Sequence, residues 1–340
     1  MDGGSAATRL SFLLLAVLLL SYLPIPSSSS RSLATSVRCN PQDYAAMMKI
    51  KAAFGNASAM DSWVPNTDCC NWRVVECDPN TNRVTQILLS GHIYGQIPPE
   101  IGDLTYIQEI IFILMHLTGT IPSTITKLKY LTVLRLSYNS LSGPVPSFLS
   151  QLPLVNQLEL SHNKFSGTIP PSLSNLPSVT YLYLDYNNLT GEIPESFGKF
   201  KQPGVSLYLS HNQLSGELPK SFGNLDFDTI QVSSNKLHGD ASLLFKANGS
   251  ARILYLSRNK FEFDLSKMKL ANTLQYFDIS HNKIYGSIPK AITKLNLKEL
   301  NVSYNSLCGK IPQGGDVQNY DSYSFFHNKC LCGSPLAACK

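Results

Sequence analysis

The sequence predicts an α/β solenoid: a right-handed superhelix of ten units of about 24 residues, with a parallel β-sheet on its concave face and a disulfide-bonded cap at each end. Three observations predict it. The first is a recurring phrase, Leu-x-Leu-x-x-Asn-x-Leu-x-Gly-x-Ile-Pro, clearest as Leu134-Arg-Leu136-Ser-Tyr-Asn139-Ser-Leu141-Ser-Gly143-Pro-Val-Pro146. The second is its period. Marker asparagines stand at Asn139, Asn163, Asn187, Asn212, Asn235, Asn259, Asn282 and Asn305, with Gly91 and Met115 in the same place in two weaker units before them. The third is that all eight cysteines lie outside the repeats, four before and four after.

A fixed period of this size marks a leucine-rich-repeat solenoid, in which each unit buries its apolar face only against its neighbours. Within a unit the strand leucines and the next apolar residue, such as Leu158, Leu160 and Phe165, point inward. The Asn amide satisfies backbone groups where the chain leaves the strand. The following Gly suits an unusual φ or a close backbone approach. Ile-Pro then gives a short extended segment with one donor fewer. Two units break the phrase, reading Gly239-Asp-Ala-Ser242 after Asn235 and Phe261-Glu-Phe-Asp-Leu265 after Asn259, so the convex side is expected to change shape there. The second unit carries a six-residue apolar run, Ile110 to Met115, of which one face must be buried.

The boundaries follow. Residues 1–30 read as a secretory signal peptide, with Arg9 before an apolar run from Leu10 to Leu20, then Pro24 and a serine cluster. Residues 31–83 form the N-terminal cap, 84–307 the ten repeats and 308–340 the C-terminal cap. No later stretch approaches the roughly 18 apolar residues that cross a bilayer, so a soluble, secreted protein is expected. In an oxidising compartment disulfides are the default for Cys39, Cys69, Cys70 and Cys77 and for Cys308, Cys330, Cys332 and Cys339. Four cysteines allow three connectivities in each cluster. Adjacent Cys69 and Cys70 are poorly placed to bond each other. The pairing expected is Cys39–Cys69, Cys70–Cys77, Cys308–Cys330 and Cys332–Cys339; zinc is the weaker reading, and no metal site is assigned. Sequons at Asn56, Asn188, Asn248 and Asn301 fit export, although Asn301 falls on a strand where a glycan would block part of the face. The net charge of +5, unaltered by loss of residues 1–30, is too small for a nucleic-acid partner.

Strand alternation turns the residues between the leucines outward. One such row reads Arg135, Glu159, Tyr183, Tyr208, Gln231, Tyr255, Asp278, Asn301. The row after the second leucine is mostly serine, from Ser137 to Ser303, with Asp185 among them; the next reads Tyr138, His162, Tyr186, His211, Ser234, Arg258, His281, Tyr304. The central units therefore carry a patch of tyrosines with polar neighbours, Tyr181, Tyr183, Tyr186, Tyr208 and Tyr255 beside Asp185, His162 and His211. Tyrosines also simply fit half-buried strands. Their solvent-facing positions favour binding, since aromatics with a polar tip are enriched at hot spots. Catalysis is not indicated: the Ser-His-Asn string recurs at 161–163, 210–212 and 280–282 as part of the repeat. Neither a nucleophile elbow nor a metal-ligand spacing is present, and no cofactor is implied.

The Gly-x-Ile-Pro form resembles the plant-specific class of leucine-rich repeats. The flanks resemble those of plant polygalacturonase-inhibiting proteins: Cys39-Asn-Pro-Gln-Asp43, Trp63, Asp68-Cys-Cys-Asn-Trp72 and Cys77-Asp78 at one end, and Asn301 to Pro312 with His327-Asn-Lys-Cys-Leu-Cys-Gly333 at the other. The irregular Gly239-Asp-Ala-Ser-Leu-Leu-Phe245 and Leu256-Ser-Arg-Asn259 match as well, so the resemblance spans essentially the whole mature chain. It implies a monomeric cell-wall glycoprotein that binds fungal endopolygalacturonases through its concave face and obstructs the pectin-cleaving cleft, with pectin as a further contact. The residues it implies are Arg135, Glu159, His162, Tyr183, Asp185, Tyr208, Gln231, Tyr255, Arg258 and Asp278, with Asp185 and Asp278 meeting basic residues of the enzyme. The apolar run at 110–115 departs from the family pattern. A secreted recognition protein without inhibitory action, in signalling or development, is the alternative. Ice binding is a third reading, for which a regular Thr or Asn ladder is expected instead of this mixed row.

Overall fold

The computed structural model describes residues 39–55 and 57–340. The signal-peptide reading and the sequon at Asn56 lie outside the described residues.

The first element, α1 (Pro41–Ala53), begins where the Asn40 side chain accepts from the Gln42 N–H and Pro41 fills the first helical position, which needs no donor. Asp43 in its first turn is fully buried. Arg83 grips that carboxylate, Nη2 to Oδ1 at 2.7 Å and Nε to Oδ2 at 2.8 Å, and the Val84 N–H donates to Oδ2 at 2.8 Å. Charge-assisted donors saturate the buried carboxylate and lock the helix to the start of the sheet. The indoles of Trp63 and Trp72 stack behind it at 5.5 Å. Disulfides join Cys39 to Cys69 and Cys70 to Cys77 in this cap, and Cys308 to Cys330 and Cys332 to Cys339 in the other.

An eleven-stranded sheet lines one face. Its first strand, β1 (Val75–Cys77), runs antiparallel to β2 (Val84–Ser90) and closes the edge. Nine more parallel strands follow, one per unit: β3 (Glu109–Ile113), β4 (Val133–Arg135), β5 (Gln157–Glu159), β6 (Tyr181–Tyr183), β7 (Val205–Tyr208), β8 (Phe227–Gln231), β9 (Ile253–Tyr255), β10 (Tyr276–Asp278) and β11 (Glu299–Asn301). Register is kept along the repeat, Leu134 opposite Leu158, then Leu182, Leu207, Ile230, Leu254, Phe277 and Leu300. A second, six-stranded parallel sheet, from Ser142–Pro144 to Lys260–Phe261, forms after the marker asparagines.

The opposite face is made of 3-10 turns, most of them entered through the proline of Ile-Pro. Pro122, Pro146 and Pro170 sit at the start of such turns with φ of −72°, −71° and −64°. A unit this short, after its strands are drawn, has room for one tight turn rather than an α-helix. In the two irregular units, where Ile-Pro is missing, the turns shorten from five residues to three, Ser242–Leu244 and Leu265–Lys267.

The asparagines carry the stacking. The Asn187 Nδ2 donates within its unit to Leu184 O at 3.1 Å and back to Leu160 O of the preceding unit at 3.0 Å, while its Oδ1 accepts from Phe165 N at 3.0 Å. The same pattern recurs at every marker from Asn139 to Asn305 and continues one rung into the C-terminal cap. There Asn328 donates to Val302 O at 3.0 Å and accepts from Leu307 N at 3.1 Å. The residue before each asparagine is left-handed, with φ between 52° and 56° from Tyr138 to His327. That turn aims the amide into the coil.

The apolar run is buried from Ile110 to Phe112 and at Met115, while Ile113 is half-buried. Ile110 and Phe112 enter the core, Phe112 meeting Phe54 of the cap edge-on at 5.7 Å. Ile111, on the other side, lies between Leu88 and Arg135 in register and is only 7% exposed. Leu114, in the left-handed position, stays open to solvent.

Candidate protein-binding face

Strands β4 to β10 hold seven of the ten residues expected to meet a partner, and His162, Asp185 and Arg258 lie in the turns that follow β5, β6 and β9. Arg135 and Glu159, adjacent in register, form an ion pair with Nε to Oε2 at 2.6 Å. Glu159 also accepts from the Ser137 hydroxyl at 2.5 Å and is buried. It is therefore an internal brace for Arg135 rather than a free outward carboxylate. Tyr183 and Tyr208 stack at 4.2 Å, with Tyr181 alongside at 6.3 Å from Tyr183. Burial raises the phenol pKa of both Tyr183 and Tyr208. Gln231 follows Tyr208 in register and is followed by Tyr255, whose hydroxyl donates to Glu299 Oε2 at 2.6 Å across two strands. Burial, and then that carboxylate, push the Tyr255 phenol up. Asp278 Oδ1 accepts from the Ser280 N–H at 2.9 Å.

The serine row corrects the expectation that it faces outward. Ser137, Ser280 and Ser303 are 1%, 3% and 3% exposed. Strands β4, β10 and β11 end two residues before these serines, at Arg135, Asp278 and Asn301, and the chain then turns left-handed, so strict alternation no longer holds. The small side chains lie under the rows on either side. Asp185, in this row, is half-buried, and its Oδ1 has no hydrogen-bond partner. Burial pushes its carboxyl up to about 7, with Glu159 adding to the rise. Desolvation thus opposes the free charge expected at Asp185 and keeps its carboxyl protonated under acidic conditions.

The left-handed residues make a feature that the sequence shows only as a row. Tyr138, His162, Tyr186 and His211 stack face to face at 4.0, 4.0 and 4.1 Å. His281, Tyr304 and His327 form a second column at 4.1 and 4.2 Å. Identical backbone placement one unit apart brings each ring over the next. Burial lowers the pKa of His162, His211 and His281. Arg258, between the columns, is exposed.

Sequence reasoning missed Asp228 and Arg252, a two-point ion pair with Nε to Oδ1 at 2.6 Å and Nη2 to Oδ2 at 2.9 Å. A register shift where β7 meets β8 leaves Asp228 unpaired between Phe227 and Thr229, outside the Leu-x-Leu frame. Of the sequons, Asn188 and Asn248 are exposed. Asn301 is half-buried and its Oδ1 accepts from the Ser303 N–H and hydroxyl at 3.1 and 2.7 Å. The described residues include no helix long and apolar enough to cross a membrane. Every cysteine is disulfide-bonded, which leaves no thiolate for zinc.

Family models for the leucine rich repeat N-terminal domain and the leucine rich repeat match residues 40–78 and 129–189, and a further leucine-rich-repeat model matches 205–225, 273–295 and 296–315. A polygalacturonase inhibitor of Pyrus communis is 56% identical over 315 residues, covering 92% of this chain and 96% of that protein. Polygalacturonase inhibitor 2 of Arabidopsis thaliana is 54% identical over 327 residues, covering 95% and 98%. Among solved structures, a plant ice-binding protein superposes with a TM-score of 0.86 at 45% identity, over 89% of this chain and 99% of that one.

Proposed function

The chain belongs to the polygalacturonase inhibitor family of leucine-rich-repeat proteins, and we propose that it binds and inhibits fungal endopolygalacturonases through the face of its long sheet. The observation that carries the reading on this chain is the half-buried tyrosine row, Tyr183, Tyr208 and Tyr255 with Gln231 between them, flanked by the braced Arg135 and the open Arg258. Stacking and hydrogen bonds hold these side chains before a partner arrives, so little rotamer freedom is lost on binding. Inhibition is steric: a rigid sheet laid over the pectin-cleaving cleft excludes substrate without chemistry of its own. The roles proposed for the ten residues divide accordingly. Arg135, Tyr183, Tyr208, Gln231, Tyr255, Arg258, Asp278 and the edge of His162 meet the enzyme, while Glu159 and Asp185 shape the floor.

The same proposal has the protein act in the cell wall as a secreted monomer; the exposure of Asn188 and Asn248 supports glycans there, and the excess of basic residues supports contact with pectin. The mixed row from Arg135 to Asn301 lacks the regular Thr or Asn ladder that an ice-binding face calls for.

The test is reducing-sugar release from polygalacturonic acid by a panel of fungal endopolygalacturonases, with and without the purified protein. The expected result is a dose-dependent fall for at least one enzyme. No fall across the panel, with circular dichroism showing a folded protein, moves the function to secreted recognition without inhibition.

A further inference from the structure

The two ring columns are one column interrupted at two positions, Ser234 and Arg258. His211 ends the first, and the next equivalent position is Ser234, whose backbone is in every respect a rung: its φ is 56°, against 54° at His211 and 54° at Arg258. Its N–H donates to Ser257 O at 2.9 Å, as His211 N does to Ser233 O and Arg258 N to Ser280 O at the same distance. Only the ring is missing. Neighbouring strands lie about 4.8 Å apart, so His211 and Arg258, two units apart, flank a slot about 9.6 Å across at the backbone. One further ring seated between them meets both walls at the spacing of the filled rungs, 4.0 to 4.2 Å between centroids. His211 and Arg258 are exposed, and Arg258 has no ion pair among the described residues, so the guanidinium is free to stack. Ser257 and Ser233, each next to the rung position, hydrogen-bond to each other at 3.0 Å, while the Ser234 hydroxyl makes no hydrogen bond among the described residues.

We propose that this slot receives a tyrosine or tryptophan side chain of the partner protein, completing the stack between the His211 imidazole and the Arg258 guanidinium. The walls set the chemistry. A cation on one side favours an electron-rich aromatic face, and an imidazole on the other stacks with it. A saturated sugar ring has no such face to offer the guanidinium. The Ser234 hydroxyl offers a hydrogen bond to a phenol O–H or an indole N–H, which phenylalanine lacks. The slot adjoins Gln231 and Tyr255, so in the inhibitor reading, on which the identity of the partner rests, it is the anchor at the centre of the contact.

Ser234→Tyr tests the proposal, because tyrosine already occupies the equivalent left-handed position at Tyr138, Tyr186 and Tyr304 and fills the slot from within. Ser234→Ala, which keeps the slot open, is the control. The first readout is NMR of the His211 imidazole during titration with N-acetyl-tryptophanamide. Upfield ring-current shifts are expected in the native protein and in Ser234→Ala, and none in Ser234→Tyr. No shift in the native protein, or an equal one in Ser234→Tyr, overturns the slot. The second readout is inhibition of an endopolygalacturonase that the native protein inhibits. Ser234→Tyr is expected to weaken it by tenfold or more with unaltered thermal stability; inhibition undiminished overturns the anchoring role. A protein that inhibits no enzyme ends the inhibitor reading, while the imidazole titration still decides the slot.

Discussion

Asp185 shows how a side chain placed in a binding row takes its properties from depth. Between the ordinary carboxyl value of 3.8 and about 7, the folded Asp185 keeps a proton that the unfolded chain has released. The folded state binds more protons in that window, so the stability this proton contributes is present below it and is lost as pH rises through it. The histidines act in the opposite sense. Their lowered pKa values mean that stability is full above the ordinary imidazole value of 6.5 and declines as pH falls below it. Comparison of Asp185→Asn with the native protein isolates the carboxyl contribution. Thermal unfolding is expected to show the variant more stable by about 2 kcal/mol at pH 8, after allowance for partial exposure, and indistinguishable at pH 4. A constant difference across pH removes the buried-acid account. The identity of this row was legible in the sequence, but its depth was not. Alternation is a property of an extended strand, and these strands stop short of the row that follows them.

At the scale of the element, the repeating turn matters more than the strand, most of whose examples are only three residues long. Each turn places one amide so that it bonds within its own unit and to the unit before. Asn187→Ala leaves the Phe165 N–H and the carbonyls of Leu160 and Leu184 without that partner in a buried setting. A cost of about 2–4 kcal/mol is expected in chemical denaturation. A cost near that of an exposed substitution shows that water replaces the amide. The sequence made these turns readable because their geometry is written in fixed residue types: the left-handed glycine at Gly143, with φ 82°, and the proline that opens the convex turn. It hid the stacked columns. Tyr, His, Arg and Ser alternate at one position, and only the shared left-handed backbone shows that their side chains are superposed.

Over the whole molecule, stability is close to a sum of nearest-neighbour terms, and the ends decide whether the stack survives. The N-terminal bridge Cys39–Cys69 closes 30 residues, and the C-terminal Cys332–Cys339 closes 7. Loop-closure entropy assigns about 3.6 and about 2.4 kcal/mol to them. Replacing each pair by alanine is expected to lower the denaturation midpoint in that order. The reverse order means that packing of the C-terminal cap outweighs loop length. Both caps were legible as cysteine clusters. The asparagine rung inside the second cap was not, because Asn328 lacks the surrounding leucine phrase and is recognised only by its bonds to Val302 and Leu307.

That rung has a mechanical consequence. Every junction from β4 onward is fastened by the same pair of amide bonds, so no junction is a hinge, and the face behaves as a ruler with evenly spaced marks. A change at one mark alters what is read there and leaves the spacing of the others intact. New specificities can therefore be written one unit at a time, and adding or removing a whole unit lengthens or shortens the ruler without recalibrating it.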